Sequence, residues 1–229
     1  MVRRISAGSS RRQVLAAAAL ALAAGGVKSA RSGESGTIRS RTSTDRFNRD
    51  EFVEACVNAS RESDSQSAVQ DVLARAMANH SSVLSALGEP TEAGMDVLHR
   101  SNTLTIFAAK WAPQMCLVPH DHRMWALIGI YAGREDNIFW HRTPKSIEAR
   151  GVGVLFPGDV ARLPVDVIHS VTNPLSRFTG GLHIYGGDFF DTERSQWNAE
   201  TLAEEPSDGA VIRAMFEREN ARLNRCGDI

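Results

Sequence analysis

Residues 116–133 read Cys-Leu-Val-Pro-His-Asp-His-Arg-Met-Trp-Ala-Leu-Ile-Gly-Ile-Tyr-Ala-Gly, a β-prone run broken by one His-x-His. On a strand, successive side chains alternate between faces, so His120 and His122 share one face and Asp121 takes the other. Two same-face imidazoles can grip one metal ion, but such a site needs a third ligand from elsewhere. Val167-Ile168-His169-Ser170-Val171, another β-prone run after a Gly-Asp turn and a proline, offers His169. Three imidazoles with the remaining positions open make a facial site for iron or a similar metal that binds substrate or dioxygen. By the same alternation Met124 shares the face of His122 and is the substrate-pocket candidate, with Trp125 opposite. Cys116 is read as a buried small hydrophobe rather than a ligand.

Outward from this stretch, short β-prone runs lie between turn signals from Val97 to about Phe190: 104–109, 125–130, 137–141, 153–156, 161–163, 169–171 and 179–185. Many short strands at this spacing predict a sandwich or barrel. Residues 133–137 (Gly-Arg-Glu-Asp-Asn) read as a turn between two of its strands. Upstream, helical spacing places Phe47, Phe52, Val53, Cys56 and Val57 on one helix capped by Thr44 or Asp45. Val69, Val72, Leu73, Ala76 and Met77 fall on a second, and Val83, Leu84 and Leu87 on a short third. Downstream, Asp208 to Leu223 returns to helical spacing.

The 229 residues are 42% apolar and 23% charged, a balance suited to one domain with a sizeable core. The net charge of −1 conceals an asymmetry: residues 1–33 hold six basic side chains and no acid, leaving 20 basic against 27 acidic residues in the remainder, a balance of −7. A domain that acidic has no footprint for a phosphate backbone, so nucleic acid is not the expected partner. Three scattered cysteines with no CxxC spacing argue against a disulfide framework or a zinc knot. No GxSxG elbow supports nucleophilic hydrolysis.

Ser10-Arg11-Arg12-Gln13-Val14-Leu15 precedes a short, alanine-rich apolar run ending at Gly25-Gly26, too short to span a bilayer. It resembles a twin-arginine signal, which implies export of a folded protein to the periplasm; a cytoplasmic or organellar location is the alternative. Residues 1–30 are therefore expected to be a targeting segment, 31–44 a flexible linker, and 45–229 the domain, with a helical part over 45–96.

Gly158, Pro164, His169 and Asn173 fall at offsets of six, five and four, and Gly133 follows the His120-x-His122 pair. This pattern resembles the two motifs of the cupin family, with Asp166 in place of a glycine and Ala126 where the first motif carries its glutamate ligand. The resemblance implies a mainly β double-stranded β-helix, or jelly-roll barrel, flanked by the N-terminal helices and a C-terminal helix. It also implies a metal site of His120, His122 and His169 with no carboxylate.

Within the cupins a neutral three-histidine site is characteristic of thiol dioxygenases. The segment 104–111 leading into His120 and the later Gly181-Leu182-His183-Ile184-Tyr185 look like stretches of cysteine dioxygenase, with Gly181 in place of a serine. As a whole, 47–197 resembles a bacterial branch of that family. The resemblance implies Fe²⁺ as cofactor, and a small cysteine-like thiol and O₂ as partners in forming a sulfinic acid. Tyr185 and His183 would be catalytic, and Arg100 would hold a substrate carboxylate. No cysteine near Ala126 is available for a crosslink to the tyrosine. Two other readings suit the same ligands: another metal-dependent cupin enzyme, such as a ring-cleaving dioxygenase or an isomerase, and a non-catalytic metal- or ligand-binding cupin.

Overall fold

The computed structural model describes residues 46–227, so the targeting segment and linker expected over 1–44 lie outside the described residues. Three helices come first: α1 (Arg49–Ala59), α2 (Ser65–Met77) and α3 (His80–Leu87). The first is capped by Asn48, whose side chain accepts from the backbone N–H groups of Asp50 and Glu51, rather than by Thr44 or Asp45 as the sequence suggested. Asp64 caps α2 by accepting from the Ser67 N–H. Among the described residues no helix is long and apolar enough to cross a membrane.

Eleven strands follow among the described residues: β1 (Gly94–Arg100), β2 (Thr105–Trp111), β3 (Cys116–Asp121), β4 (Ala126–Ala132), β5 (Glu135–Arg142), β6 (Ile147–Leu155), β7 (Val160–Leu163), β8 (Ile168–Thr172), β9 (Thr179–Tyr185), β10 (Ser195–Trp197) and β11 (Glu204–Pro206). They form two antiparallel sheets, ordered β1-β2-β9-β4-β7 and β11-β10-β3-β8-β5-β6. From β2 to β5 the chain alternates between the sheets, turns back through the β5-β6 hairpin, and alternates again from β6 to β9. That double Greek key is a double-stranded β-helix, the jelly-roll barrel of the cupin fold. The strand β1, the short β10 and β11, and the helix α4 (Gly209–Gly227) extend it.

The three central strands of the first sheet, β2, β9 and β4, are buried on both faces, and their alternation sorts residues between two cores. On β2, Phe107, Ala109 and Trp111 point into the barrel, whereas Ile106 and Ala108 meet the helices. On β4, Ala126, Ile128 and Ile130 point in, and Leu127 and Tyr131 face Leu73, Met77 and Val83. A Cβ at Gly129 would lie 2.8 Å from Met77 Cγ, so glycine here is what lets α2 seat against the sheet. Gly133, at φ +77°, makes the left-handed turn that sends β4 into β5. Cys116, expected to be buried, is exposed at the start of β3, whereas Cys56 is fully buried on α1 and burial pushes its thiol up to about 12.

A three-histidine centre inside the barrel

His120 lies on β3, directly opposite His169 on β8, and His122 follows just after β3 ends. Pairing across neighbouring strands therefore brings together side chains 49 residues apart in sequence. The three imidazoles converge: His122 Nε2 is 3.2 Å from His120 Nε2 and 3.1 Å from His169 Nε2, and one ligand atom from each lies within 4.8 Å of the others. Asp121 turns the other way, as alternation requires, and accepts from the Ser195 backbone N–H on β10 at 2.7 Å.

The opposite edges of two rings fix their tautomers. His120 Nδ1 is 3.0 Å from the Val118 carbonyl, and His169 Nδ1 is 2.6 Å from Asn137 Oδ1. A carbonyl oxygen only accepts, and Asn137 Nδ2 is occupied by Glu135, so both Nδ1 atoms donate and both Nε2 atoms present lone pairs inward. His122 Nδ1 is buried without a partner. Burial holds all three imidazoles below their usual titration range. His120 falls to about 4, and His122 and His169 fall well below 6.5, with repulsion among the cluster adding to burial. Three neutral, buried nitrogen lone pairs aimed at one point, with no acid in the cluster, fit a divalent first-row metal held by imidazole alone. Ala126, which the sequence resemblance sets at a carboxylate-ligand position, is buried in the barrel core.

Around this cluster runs a second layer that sequence reasoning missed. Glu135 and Asn137, read as turn residues, open β5 and point inward at i, i+2, the same spacing as the histidine pair. Glu135 is fully buried; its carboxylate accepts from Trp111 Nε1 at 2.8 Å and Asn137 Nδ2 at 3.0 Å, and lies 3.3 Å from His183 Nε2. Burial pushes that carboxyl up, but the His183 imidazole and these donors outweigh it and hold it below the usual range. His183 in turn places Nδ1 3.3 Å from the Tyr185 hydroxyl on β9. Burial raises the Tyr185 phenol against the opposing pull of Arg194, so it stays protonated. Its ring stands edge-on to His122, centroids 5.0 Å apart.

His120, His169, His183 and Tyr185 line a cavity with about 30 Å³ of free space, walled by Phe107, Trp111 and Leu117 and closed by Ile212 and Phe216 of α4. Phe216 stacks on Trp111 at 5.7 Å. Of the residues expected at the substrate, neither Met124 nor Arg100 lines this space. Arg123 interrupts the strand at φ +55°, yet Met124 packs in the barrel core and Trp125 against the helices, the opposite faces that alternation gave them; what differs is that Met124 does not reach the cavity. Arg100 ends β1 with its side chain 48% exposed, its Nε bonded to both Asp188 oxygens at 2.9 and 3.0 Å.

The arginine that does reach the cavity is Arg194, in the segment between β9 and β10. Its guanidinium lies 3.8 Å over the Phe189 ring, its Nε is buried without a hydrogen-bond partner, and it has no carboxylate within ion-pair distance among the described residues. Burial pushes its pKa below the usual value, partly offset by Tyr185 and Asp121. An arginine so placed is a ready acceptor of a small anion, because a bound carboxylate would supply the missing partner.

No protein-family model matches the chain. Similar solved structures include a cupin superfamily protein from Desulfitobacterium hafniense (20% identity over 46% of this chain and 88% of that one, TM-score 0.37). An RmlC-like cupin with a double-stranded β-helix fold from Methanocaldococcus jannaschii is 11% identical over 44% and 85% of the two chains, with a TM-score of 0.38. A sugar phosphate isomerase of the cupin superfamily from Silicibacter pomeroyi is 13% identical over 47% and 64%, with a TM-score of 0.35.

Proposed function

We propose that the protein is a thiol dioxygenase that converts a small mercapto acid and O₂ into the corresponding sulfinic acid, R–SH + O₂ → R–SO₂H. The observation that carries this reading is a metal-ready cluster of three neutral imidazoles with a protonated tyrosine and an unpaired arginine on the same small cavity. His120, His122 and His169 would hold the metal, which we take to be Fe²⁺. When bound, it supplies the one-electron chemistry that lets O₂ react with a thiol. A ligand set without negative charge leaves the metal's own charge free to favour an anionic sulfur.

The other residues bind, orient and exclude water. Arg194 holds the substrate carboxylate, the role that the sequence resemblance gave to Arg100. Tyr185 donates its hydroxyl proton toward the reacting atoms or toward His183. The Glu135 carboxylate, 3.3 Å from His183 Nε2, attracts that edge of the imidazole and leaves Nδ1 facing the phenol. Phe107, Trp111, Phe189 and Phe216 keep the space largely apolar. With about 30 Å³ of room, of the order of one or two waters, the cavity suits a thiol head and a diatomic gas better than a sugar or an aromatic ring. The paired arginines and alanine-rich run near the N-terminus support export of the folded protein.

The test is the His169→Ala variant beside the wild type, both reconstituted anaerobically with Fe²⁺. Loss of bound iron together with loss of thiol-dependent oxygen uptake is expected; retained iron and uptake would refute the assignment.

A further inference from the structure

Beside the inner cavity a groove of about 400 Å³ runs between α4 and the start of β1. Met95, Phe189, Arg194, Ile212 and Phe216 line both spaces, so Arg194 stands where one meets the other. The rim of the groove carries two large apolar side chains with much of their surface in water, Val97 at 50% and Phe190 at 39% exposed. Exposed apolar side chains around a concave surface mark a place where something apolar is meant to sit.

Three observations limit what that is. The inner cavity is too small for more than a thiol-bearing head. The one cation shared by both spaces lacks an acid partner among the described residues. Beyond that cation, the groove is mostly hydrocarbon, its other charged or amide side chains being Arg213, Glu217 and Asn220 of α4. A ligand satisfying all three has its reactive end inward, an anionic group at Arg194 and an apolar portion outside it.

Resting on the dioxygenase reading of the centre, we propose that the groove is the tail subsite of the same site. The substrate is then a mercapto acid whose carbon skeleton bears an apolar substituent several carbons long, rather than cysteine itself. Val97, Phe190 and Ile212 set the preference for that substituent.

Binding of straight-chain carboxylates to the metal-stripped full-length protein, followed by calorimetry, tests this without any turnover. From butyrate to octanoate the affinity is expected to rise at least tenfold; four added methylenes at about 0.8 kcal/mol each set an upper limit of roughly 200-fold. Octan-1-ol, lacking the charge, is expected to bind at least tenfold more weakly than octanoate. In Val97→Asp, a change at an exposed position, and separately in Ile212→Asp, the octanoate-to-butyrate ratio is expected to fall to near one. An affinity independent of chain length in the wild type, or a ratio unmoved in both variants, overturns the tail subsite even if small thiols are oxidised. Conversely, a preserved chain-length dependence in a protein that consumes no oxygen with any thiol retains the tail subsite and removes the dioxygenase reading.

Discussion

Asn137 Oδ1 lies 2.6 Å from His169 Nδ1, and the same amide gives its N–H to the buried carboxylate of Glu135 at 3.0 Å. Carboxylate, amide and imidazole thus form a chain that leaves His169 one orientation and one tautomer, with its Nε2 lone pair directed at the other two histidines.

Replacing Asn137 with Ala removes the acceptor and frees the ring. Metal affinity, measured by competition with a chelator, is expected to fall ten- to a hundredfold, the usual cost of losing an outer partner of a metal-binding histidine. Unchanged affinity would mean that the strand pairing of β3 with β8 alone positions the ligands.

Glu135 accepts from two buried donors, Trp111 Nε1 and Asn137 Nδ2, and lies 3.3 Å from the buried His183 Nε2. Glu135→Ala leaves the two donors unpaired and is expected to cost about 2–5 kcal/mol in denaturant unfolding. Tyr185→Phe, which keeps the packing against Phe107 and Phe189, is expected to slow turnover at least tenfold while iron content stays that of the wild type. Full activity in Tyr185→Phe would take the phenol out of the chemistry.

The two arginines separate cleanly. Arg194→Gln is expected to raise KM for a carboxylate-bearing thiol such as 3-mercaptopropionate about 10- to 100-fold and to abolish its advantage over cysteamine, since a charge-assisted hydrogen bond is worth about 1.5–3 kcal/mol. Arg100→Gln, which loses the half-exposed pair with Asp188 and the contact over the Phe190 ring, is expected to change KM less than twofold. The opposite ranking would return the carboxylate to Arg100.

In the metal-free protein the three site histidines are neutral when folded and regain ordinary values near 6.5 when unfolded. Below that pH the unfolded chain binds more protons than the folded one, so stability is present above about 6.5 and is lost as pH falls toward the His120 value of about 4. Each group contributes at most about 1.4 kcal/mol per pH unit. The melting temperature of chelator-treated protein is therefore expected to drop between pH 7.5 and 5, and to drop less in His122→Asn. A flat profile over that range would contradict neutral, buried ligands.

What the sequence made legible was what strand periodicity encodes. His120 and His122 were placed by alternation, His169 by its own β-prone run, the barrel by the spacing of short strands, and the helices by apolar residues three and four apart. Resemblance to a family added His183 and Tyr185. The parts that escaped depend on long-range closure. Arg194 reaches the cavity from the segment between β9 and β10, its guanidinium over the Phe189 ring, and no local spacing announces it. Met124 does face into the barrel, as alternation gave it, but an inward core position did not make it a wall of the cavity. Glu135 and Asn137 did carry a signal, an inward i, i+2 pair directly after a glycine turn, but their polarity reads equally well as a loop until the strand beside them is seen to bury it.

The most direct test is the stoichiometry of oxygen uptake by anaerobically purified, iron-loaded protein given cysteine, cysteamine or 3-mercaptopropionate. The account predicts iron near one per chain and one O₂ consumed for each sulfinate formed, with a carboxylate-bearing thiol preferred. Iron bound at one per chain with no thiol-dependent uptake would contradict it and leave a metal-binding barrel with another task.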